Sequence, residues 1–276
     1  MAGYYQQKIR QLFTYINASE AGSCFEPASF LPKEFLLPVV PAQIRFLNSF
    51  LYLYFHMPSR YPYDPVDPIL VETWLKGWAI ARGTMAPVPD QGGFRIDVGW
   101  PDQQVRYVFP ELSYGWQALQ QTITQPYIFL KACATPEQIR PMLLPPWEIC
   151  PPGFMMTRIL GDSQASVHLP PSYYLETTRG AHPTAKVYTS FGDLAAMGSI
   201  VIVGQYAIFD RIATEQAHQR KGLGSAVMAT LSDIARQEGA TTGLLVATSQ
   251  GKALYTHLNW QLYAPYTTIV IPAVER

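Results

Sequence analysis

The feature that most constrains the fold is a glycine-containing loop between a predicted strand and a predicted helix. Residues 219–225 read Gln-Arg-Lys-Gly-Leu-Gly-Ser. Upstream, residues 206–214 alternate in polarity as a half-buried strand does. Downstream, apolar residues recur at helical spacing over 223–234, and Gly239 is a typical helix end. The sequence therefore predicts a strand that leads into a helix through Gly-x-Gly.

A turn of this kind is suited to binding an anion. The first backbone N–H groups of a helix have no partner inside the helix and point out of its N-terminus. The helix dipole adds about half a positive charge there, and Arg220 and Lys221 add their own charges. Side chains in place of Gly222 and Gly224 would obstruct an approaching phosphate. We therefore predict that this loop binds a pyrophosphate.

The spacing of the glycines argues against two common phosphate-binding motifs. A P-loop requires Lys-Ser or Lys-Thr after its last glycine, and Gly224 is followed by neither pair. A Rossmann fingerprint requires a third glycine where Val227 stands. The pattern Gln219-x-x-Gly222-x-Gly224 resembles instead the coenzyme A loop of the Gcn5-related N-acetyltransferase (GNAT) superfamily, which reads Gln/Arg-x-x-Gly-x-Gly/Ala.

The resemblance extends along the C-terminal part of the chain. Residues 209–214 resemble the fourth strand of that family, and residues 244–248 resemble its fifth. Residues 251–260 resemble the family's helix that ends in Leu-Tyr-x-x-Leu-Gly-Phe/Trp, with Asn259 in place of glycine. Asparagine tolerates the left-handed conformation that this helix end needs. The resemblance implies an acyl-coenzyme A N-acyltransferase fold of the α/β (α+β) class, with a mixed, mostly antiparallel sheet flanked by helices.

The composition argues against several kinds of partner and site. Twenty Lys and Arg residues balance 20 Asp and Glu residues, so no net charge attracts nucleic acid or an anionic membrane. The 3 cysteines lack C-x-x-C spacing and predict neither a disulfide framework nor a metal site. The first residues do not resemble a secretory leader, and the apolar run 46–57 is too short to span a membrane. These features predict a cytoplasmic protein.

Charged residues are scarce and aromatic residues are abundant. They make up 14% and 13% of the chain, respectively. Charged residues ordinarily form about a quarter of a soluble domain, so this chain is expected to bury much of its surface. A well-packed aromatic core accounts for this composition, and so does an additional domain or homodimer interface. The sequence leaves both interpretations open.

The order of predicted elements suggests two related halves. In the C-terminal half, we predict strands over 185–190, 195–203 and 205–214, a helix over 222–238, a strand over 243–248, a helix over 251–258 and a strand over 261–271. The N-terminal half repeats this order, with strands over 77–82, 94–99 and 105–109, a helix over 113–122, a strand over 127–132, a helix from 135 and a strand over 154–159. We interpret the pattern as a structural repeat. Chance alignment of short elements is the alternative.

The repeat predicts a domain boundary and one coenzyme site. A degenerate N-terminal domain would cover residues 1–165 and a catalytic domain residues 166–276, joined by a linker near residues 161–171. The N-terminal copy has Pro110 to Gly115 in place of the loop, with Glu111 and without Gly-x-Gly. We therefore expect it not to bind coenzyme A. The segments outside the repeat, 4–17 and 41–57, are predicted to be amphipathic helices.

The resemblance also implies which residues take part in acetyl transfer. A backbone N–H near Ile212, Ala213 or Thr214 would stabilise the oxyanion of the tetrahedral intermediate, and one such donor is typically worth about 3 kcal/mol. Tyr255 stands where the family places a tyrosine that protonates or orients the coenzyme A sulfur. A phenol with a pKa of about 10 is a suitable proton donor for an alkyl thiolate. Packing against neighbouring leucines is the alternative role for Tyr255.

Two carboxylates near the end of the predicted strand are candidates for the general base. Regular alternation would place Asp210 on one face with Ile208 and Ile212. Asp210 is therefore either a base in an apolar strand or the partner of a neighbouring Arg or Lys. Glu215 is the second candidate, and His218 is better placed as a neighbour of the phosphate or ribose.

The predicted function is transfer of an acetyl group from acetyl-coenzyme A to a primary amine of a small molecule or peptide, by direct attack in a ternary complex. The alternative function is that of a non-catalytic acyl-coenzyme A sensor or interaction module. A separate alternative is an enzyme that uses a longer acyl donor. Four tryptophans of the N-terminal half would line an apolar acceptor pocket or pack in the core. The predicted coenzyme-binding residues are Ile212, Ala213, Thr214, Gln219, Arg220, Lys221, Gly222, Leu223, Gly224 and Ser225.

Overall fold

Twelve strands form one mixed sheet in the computed structural model, which describes residues 65–161 and 168–273. All but two of the strand pairs run antiparallel, and helices flank the sheet. The predicted fold class is confirmed. Among the described helices, none is long and apolar enough to cross a membrane. The predicted helices over 4–17 and 41–57 and residues 162–167 of the predicted linker lie outside the described residues.

The described elements follow one another in a simple order along the chain. The first half contains α1 (Pro68–Arg82), β1 (Val88–Asp90), β2 (Gly93–Trp100), β3 (Gln103–Phe109), α2 (Tyr114–Thr122), β4 (Ile128–Ala132), α3 (Pro136–Ile139), β5 (Glu148–Ile149) and β6 (Gly153–Ile159). The second half contains β7 (Tyr173–Thr178), β8 (Thr184–Thr189), β9 (Leu194–Val203), β10 (Tyr206–Thr214), α4 (Leu223–Gln237), β11 (Thr242–Thr248), α5 (Ser249–His257) and β12 (Gln261–Val270).

Helix α1 stands where the sequence predicted a strand over 77–82, so that prediction is wrong. The Asp67 side chain caps the helix by accepting a hydrogen bond from its first turn, and a proline occupies the first helical position. Gly83 ends the helix in a left-handed conformation, with φ 64°. An apolar run of this length fits a buried strand or a buried helix, and the two caps favour the helix. Strands β1, β5 and β7 were not predicted.

The sheet crosses the predicted domain boundary. Its strand order is β1-β2-β3-β4-β12-β6-β11-β10-β9-β8-β7, and β5 pairs with β12 beside this path. Strand β12 therefore continues the parallel pair β3–β4 of the first half, and β6 continues the parallel pair β10–β11 of the second. Each half adds its last strand to the other half's part of the sheet. The structural repeat and the domain boundary near residue 165 remain predictions.

The sheet curves around α1. Trp78 of α1 lies under the guanidinium of Arg106 on β3, with 3.7 Å between the Arg106 Cζ and the ring centre. The neighbouring Gly77 packs against Ile208 on β10. Because β3 and β10 are five places apart in the strand order, two neighbouring residues of α1 can contact both strands only if the sheet is strongly curved. Helix α1 thus lies on the concave face, within an apolar cluster that also includes residues of β2, β6, β11 and β12.

Helices α4 and α5 pack in a different cluster, against alternate residues of the same strands. Phe209 and Ala207 of β10 point into this cluster, whereas Ile208 points toward α1. Trp260, which follows α5, meets the Phe209 ring edge to face at a centroid distance of 5.0 Å. A third cluster surrounds α2, where Trp116 is fully buried. The two faces of the C-terminal sheet are therefore both covered by helices.

Gly77→Ala is expected to destabilise the protein by about 1–3 kcal/mol, as overpacking usually does. A β-carbon at this position would lie 2.2 Å from the Ile208 Cγ1, so α1 would have to move away from β10. In an open helix, the same substitution would stabilise the protein by up to about 1 kcal/mol. Chemical denaturation shows whether Gly77→Ala lowers or raises the free energy of unfolding. The double variant with Ile208→Ala should cost less than the sum of the single variants, and strict additivity would contradict the proposed clash.

Candidate functional site

Strands β10 and β11 diverge and leave an opening in the sheet. They pair in parallel only at their first residues, Tyr206–Ile208 with Thr242–Leu244. Beyond these residues the two strands no longer pair with each other. Strand β11 pairs with β6 along its whole length, and β10 pairs with β9. Helix α4 follows the C-terminal end of β10, and α5 follows that of β11. The opening therefore lies at the end of the sheet where the predicted phosphate loop begins.

A β-bulge redirects β10 beside this opening. The register with β9 shifts between Asp210 and Ala213, and Arg211 has a left-handed φ of 55°. A bulge interrupts the alternation of side chains. Ile208 consequently packs beside α1, whereas Ile212 packs in the cluster of α4 and α5. The prediction that these two isoleucines share a face is wrong, because it assumed a regular strand.

The end of β10 directs backbone groups toward the opening. The Glu215 N–H donates to the carbonyl of Ala195 on β9 at 2.9 Å. Neighbouring residues of a strand turn their backbone groups to opposite sides, so those of Thr214 face away from β9. The Thr214 carbonyl accepts a hydrogen bond from the Gln219 side chain at 3.3 Å. This geometry fits a predicted oxyanion donor at Thr214, whereas the same alternation turns Ala213 toward Met197 on β9. The role of residues 212–214 stays a prediction.

The loop between β10 and α4 exposes the backbone N–H groups at the start of the helix. Arg220 and Gly222 have left-handed φ values of 61° and 79°. Gly222 is the N-cap of α4, and no side chain caps the helix. The N–H groups of Leu223, Gly224 and Ser225 therefore have no partner within the helix. This is the arrangement that the sequence predicted for anion binding.

The two glycines of the loop are required for different reasons. A β-carbon at Gly222 would meet nothing within 4 Å, but the left-handed backbone there favours glycine. A β-carbon at Gly224 would lie 3.2 Å from the Leu254 side chain and 3.4 Å from the Thr214 hydroxyl oxygen. Gly224 therefore lets α4 approach both α5 and the end of β10. Gly222 leaves open space in front of the helix.

Two hydrogen bonds hold the Lys221 side chain of the loop in place. The Lys221 Nζ donates to the Tyr173 hydroxyl at 3.0 Å and to the Ala217 carbonyl at 3.1 Å. The same hydroxyl lies 3.0 Å from the Nδ1 of His218. Tyr173 belongs to β7, so its part in the loop was missed together with that strand. The exposed Glu215 lines an open pocket of about 600 Å³ beside the loop.

The corresponding helix start in the N-terminal half is already occupied. The Ser113 side chain caps α2 by accepting from the Trp116 N–H. A β-carbon at Gly115 would lie 1.7 Å from the carbonyl oxygen of Gln91. A backbone carbonyl therefore lies against the first turn of α2. These contacts agree with the prediction that Pro110 to Gly115 does not bind coenzyme A, which stays to be tested.

Tyr255 lies within α5, and its side chain is buried with 7% exposed. Its ring packs against Gly251 and lies 6.1 Å from the ring of Trp260. Burial raises the pKa of Tyr255 to about 12, and the charge of Asp210 adds to this increase. The phenol therefore keeps its proton at neutral pH, as a proton donor must. Asn259, just beyond the C-cap residue Leu258 of α5, has a left-handed φ of 62°, as expected from the sequence.

Asp210 forms a two-point ion pair with Arg82 at the end of α1. The Arg82 Nε and Nη2 donate to the two carboxylate oxygens at 2.5 Å and 2.8 Å. The Asp210 side chain is only 12% exposed. This contact matches the second alternative that the sequence left open, a carboxylate paired with a nearby cation. Arg82 itself was missed because its helix was predicted as a strand.

Asp210→Asn and Arg82→Gln are each expected to lower the free energy of unfolding by about 1–3 kcal/mol, because each leaves a partly buried partner unsatisfied. The double variant should cost little more than either single variant. Chemical denaturation of the four proteins gives the coupling energy. If Asp210 acts as the base instead, Asp210→Asn alone should remove an ionisation from the pH profile of kcat, and Arg82→Gln should leave that ionisation in place.

The four tryptophans of the N-terminal half do not form one pocket. Trp74 and Trp78 are buried residues of α1, and Trp100 packs against Trp78 at a centroid distance of 5.9 Å. Trp116 lies in the separate cluster around α2. Among the described residues, no group of three or more His, Cys, Asp or Glu side chains is arranged to bind a metal ion.

Comparison with known proteins agrees with this geometry. Residues 154–259 match the sequence profile of the acetyltransferase (GNAT) family. A GCN5-related N-acetyltransferase from Kribbella flavida is structurally similar, with a TM-score of 0.55 and 13% identity over 78% of this chain and 98% of that one. A GCN5-related N-acetyltransferase from Sphaerobacter thermophilus has a TM-score of 0.50 and 9% identity over 67% and 79%. No curated protein matches the sequence.

Proposed function

We propose that this chain, whose residues 154–259 match the sequence profile of the acetyltransferase (GNAT) family, transfers the acetyl group of acetyl-coenzyme A to a primary amine. One observation supports this most directly. The opening between β10 and β11 is bordered by an uncapped helix N-terminus and by the helix that contains a buried, protonated phenol. These are the parts needed to bind a phosphorylated thioester and to release its thiol. The acceptor is a small molecule or a peptide.

Coenzyme A would bind along the loop and through the opening. The N–H groups of Leu223, Gly224 and Ser225 would donate to the pyrophosphate, with Arg220 and Lys221 adding positive charge. The amide groups of the pantetheine arm would pair with backbone groups near Thr214, where β10 has no partner from β11. The thioester would then lie inside the opening.

The chemistry would proceed in one ternary complex. The neutral amine attacks the thioester carbonyl carbon, and a C–N bond forms while the carbonyl oxygen becomes an oxyanion. A backbone N–H at residues 212–214 stabilises that charge. The C–S bond then breaks, and the departing thiolate takes the proton of the Tyr255 hydroxyl. The nitrogen loses its surplus proton to solvent, and Tyr255 regains a proton from solvent.

Asp210 would serve this reaction through Arg82 instead of as the base. Both of its oxygens accept from the guanidinium, which holds the carboxylate in one orientation against α1. The pair would fix the end of α1 beside the bulge of β10. We also place the protein in a reducing cytoplasm, since Cys133 and Cys150 are free thiols.

Amine-dependent thiol release tests the proposal. Purified protein with acetyl-coenzyme A and a panel of primary amines should release free thiol faster than without an amine, and mass spectrometry should show an amine heavier by one acetyl group. Calorimetry should show coenzyme A binding. If coenzyme A binds but no amine is acetylated, the sensor alternative replaces the enzyme. If coenzyme A does not bind, both hypotheses fail.

A further inference from the structure

A buried basic cluster lies on the concave face of the sheet and takes no part in the steps above. We define it as Arg106 on β3, Lys131 on β4 and Tyr266 on β12. Lys131 is only 8% exposed and Tyr266 only 4%. Lys131 lies opposite Thr268 in the pairing of β4 with β12. These neighbouring strands bring the three side chains together beside α1.

The donors of the cluster are only partly used. The Lys131 Nζ donates to the Thr268 hydroxyl at 2.8 Å and lies 5.8 Å from the centre of the Tyr266 ring. Arg106 donates through one terminal nitrogen to the Gln103 side chain at 3.2 Å. Within the described residues, the Arg106 Nε and the Tyr266 hydroxyl are buried without a hydrogen-bond partner. Buried donors of this kind ordinarily have an acceptor.

The charge of the cluster is also unbalanced. In residues 65–161 and 168–273, no carboxylate lies within ion-pair distance of Arg106 or Lys131. The acid whose charge acts on Arg106 is Asp210, and Arg82 already occupies both of its oxygens. Burial lowers the pKa of Lys131, and the positive charge of Arg106 lowers it further. A bound anion would offset this cost.

The cluster lies close to the opening where the amine must react. Tyr266 is opposite Gly153 of β6, and Gly153 is opposite Thr248 at the end of β11. Two strand spacings therefore separate Tyr266 from the edge of the opening, which is about 10 Å. On the α1 side of the cluster, Trp78 connects Arg106 with Arg82, because the guanidinium groups of both lie over its ring.

We propose that Arg106, Lys131 and Tyr266 bind a carboxylate of the acceptor, so that the substrate class is an amino carboxylic acid. The amine would lie across β6, at the opening. A carboxylate fits because it is an acceptor with two oxygens and a negative charge, and these donors are a guanidinium, an ammonium and a phenol. This inference rests on the proposed function, since it assigns the acceptor of that site.

The test uses 6-aminohexanoate and hexylamine, which share an amine and a chain but differ in the carboxylate. Calorimetry of the full chain, with and without saturating coenzyme A, should show 6-aminohexanoate binding at least about tenfold more tightly than hexylamine. Lys131→Met should remove this preference while coenzyme A affinity stays unchanged. Lys186→Met on β8 is the matched control and should keep the preference. Equal binding of both probes by the wild type would overturn the proposal.

Tyr266→Phe separates binding from folding. It removes a buried hydroxyl that has no partner among the described residues, so thermal unfolding should occur at the same or a higher temperature. Affinity for 6-aminohexanoate should nevertheless fall several-fold. Unchanged affinity in both Tyr266→Phe and Lys131→Met would refute the site. Failure of coenzyme A to bind would instead refute the proposed function, because 6-aminohexanoate binding to the free protein reports on the cluster alone.

Discussion

Gly222→Glu is expected to weaken coenzyme A binding about 100-fold or more. Gly222 is the N-cap of α4, and its left-handed backbone leaves the space before the helix open. A glutamate there would put a carboxylate where the pyrophosphate has to lie and would strain the loop. Losing two charge-assisted hydrogen bonds costs about 3–6 kcal/mol, which corresponds to at least a 100-fold loss of affinity. Isothermal titration calorimetry measures the change.

Gly239→Glu is the matched control for this experiment. Gly239 follows the other end of α4, is exposed and has a φ of 85°, and a β-carbon there would meet nothing within 4 Å. The substitution therefore introduces the same charge and the same backbone strain away from the loop. It should lower stability by a similar amount and leave coenzyme A affinity intact. Equal affinities for all three proteins would show that the nucleotide binds elsewhere.

Tyr255→Phe is expected to lower kcat about 100-fold and to change acetyl-coenzyme A binding little. The hydroxyl is required only when the thiolate departs, so its loss should affect the transition state more than the bound substrate. The ring stays in place because phenylalanine fills the same space against Gly251 and Trp260. Thiol release with an identified acceptor, measured together with coenzyme A affinity, separates the two effects.

The exposed Tyr174 offers a control, because it stacks on Tyr188 at the edge of the sheet. Tyr174→Phe should leave kcat unchanged. The pH profile adds a second readout, since the pKa of Tyr255 is raised to about 12. Loss of the phenol proton should therefore cause no decline of kcat below about pH 11. A rate that is unaffected by Tyr255→Phe would assign this residue to packing alone.

The same pKa has a consequence for stability, with a defined sign. A phenol with a pKa of about 10 in the unfolded chain and about 12 in the folded protein binds more protons when folded. Stability is therefore retained below about pH 10 and decreases as the pH rises from about 10 to about 12. Tyr255→Phe should make this decrease less steep.

Local patterns were enough to predict much of the C-terminal half. The strand before the loop, the helix after Gly222 and the helix containing Tyr255 all occur within a residue or two of their predicted bounds. Each is specified by apolar spacing and by residues at its own ends, which act within one or two turns of chain. The loop conformation follows from the same local chemistry, because left-handed backbone favours glycine.

Local patterns were insufficient where the outcome depends on distant residues. The apolar composition of residues 77–82 fits a buried strand as well as it fits helix α1. The bulge at Asp210–Ala213 has no distinctive sequence pattern. The pairing of Asp210 with Arg82 joins residues 128 positions apart. Periodicity cannot reveal such a pair, because it arises from how α1 packs into the curved sheet.

The conformation of the loop at residues 219–225, the helix with Tyr255 and the order of most strands could be predicted from the sequence, because short-range spacing and capping encode them. Which strands became neighbours depended on the assembled fold, which places β6 between β11 and β12 and β12 beside β4. The assembled fold also brought Arg106, Lys131 and Tyr266 together from three strands. Strand pairing depends on hydrogen bonds between segments far apart in the chain, and these form only when the whole sheet assembles.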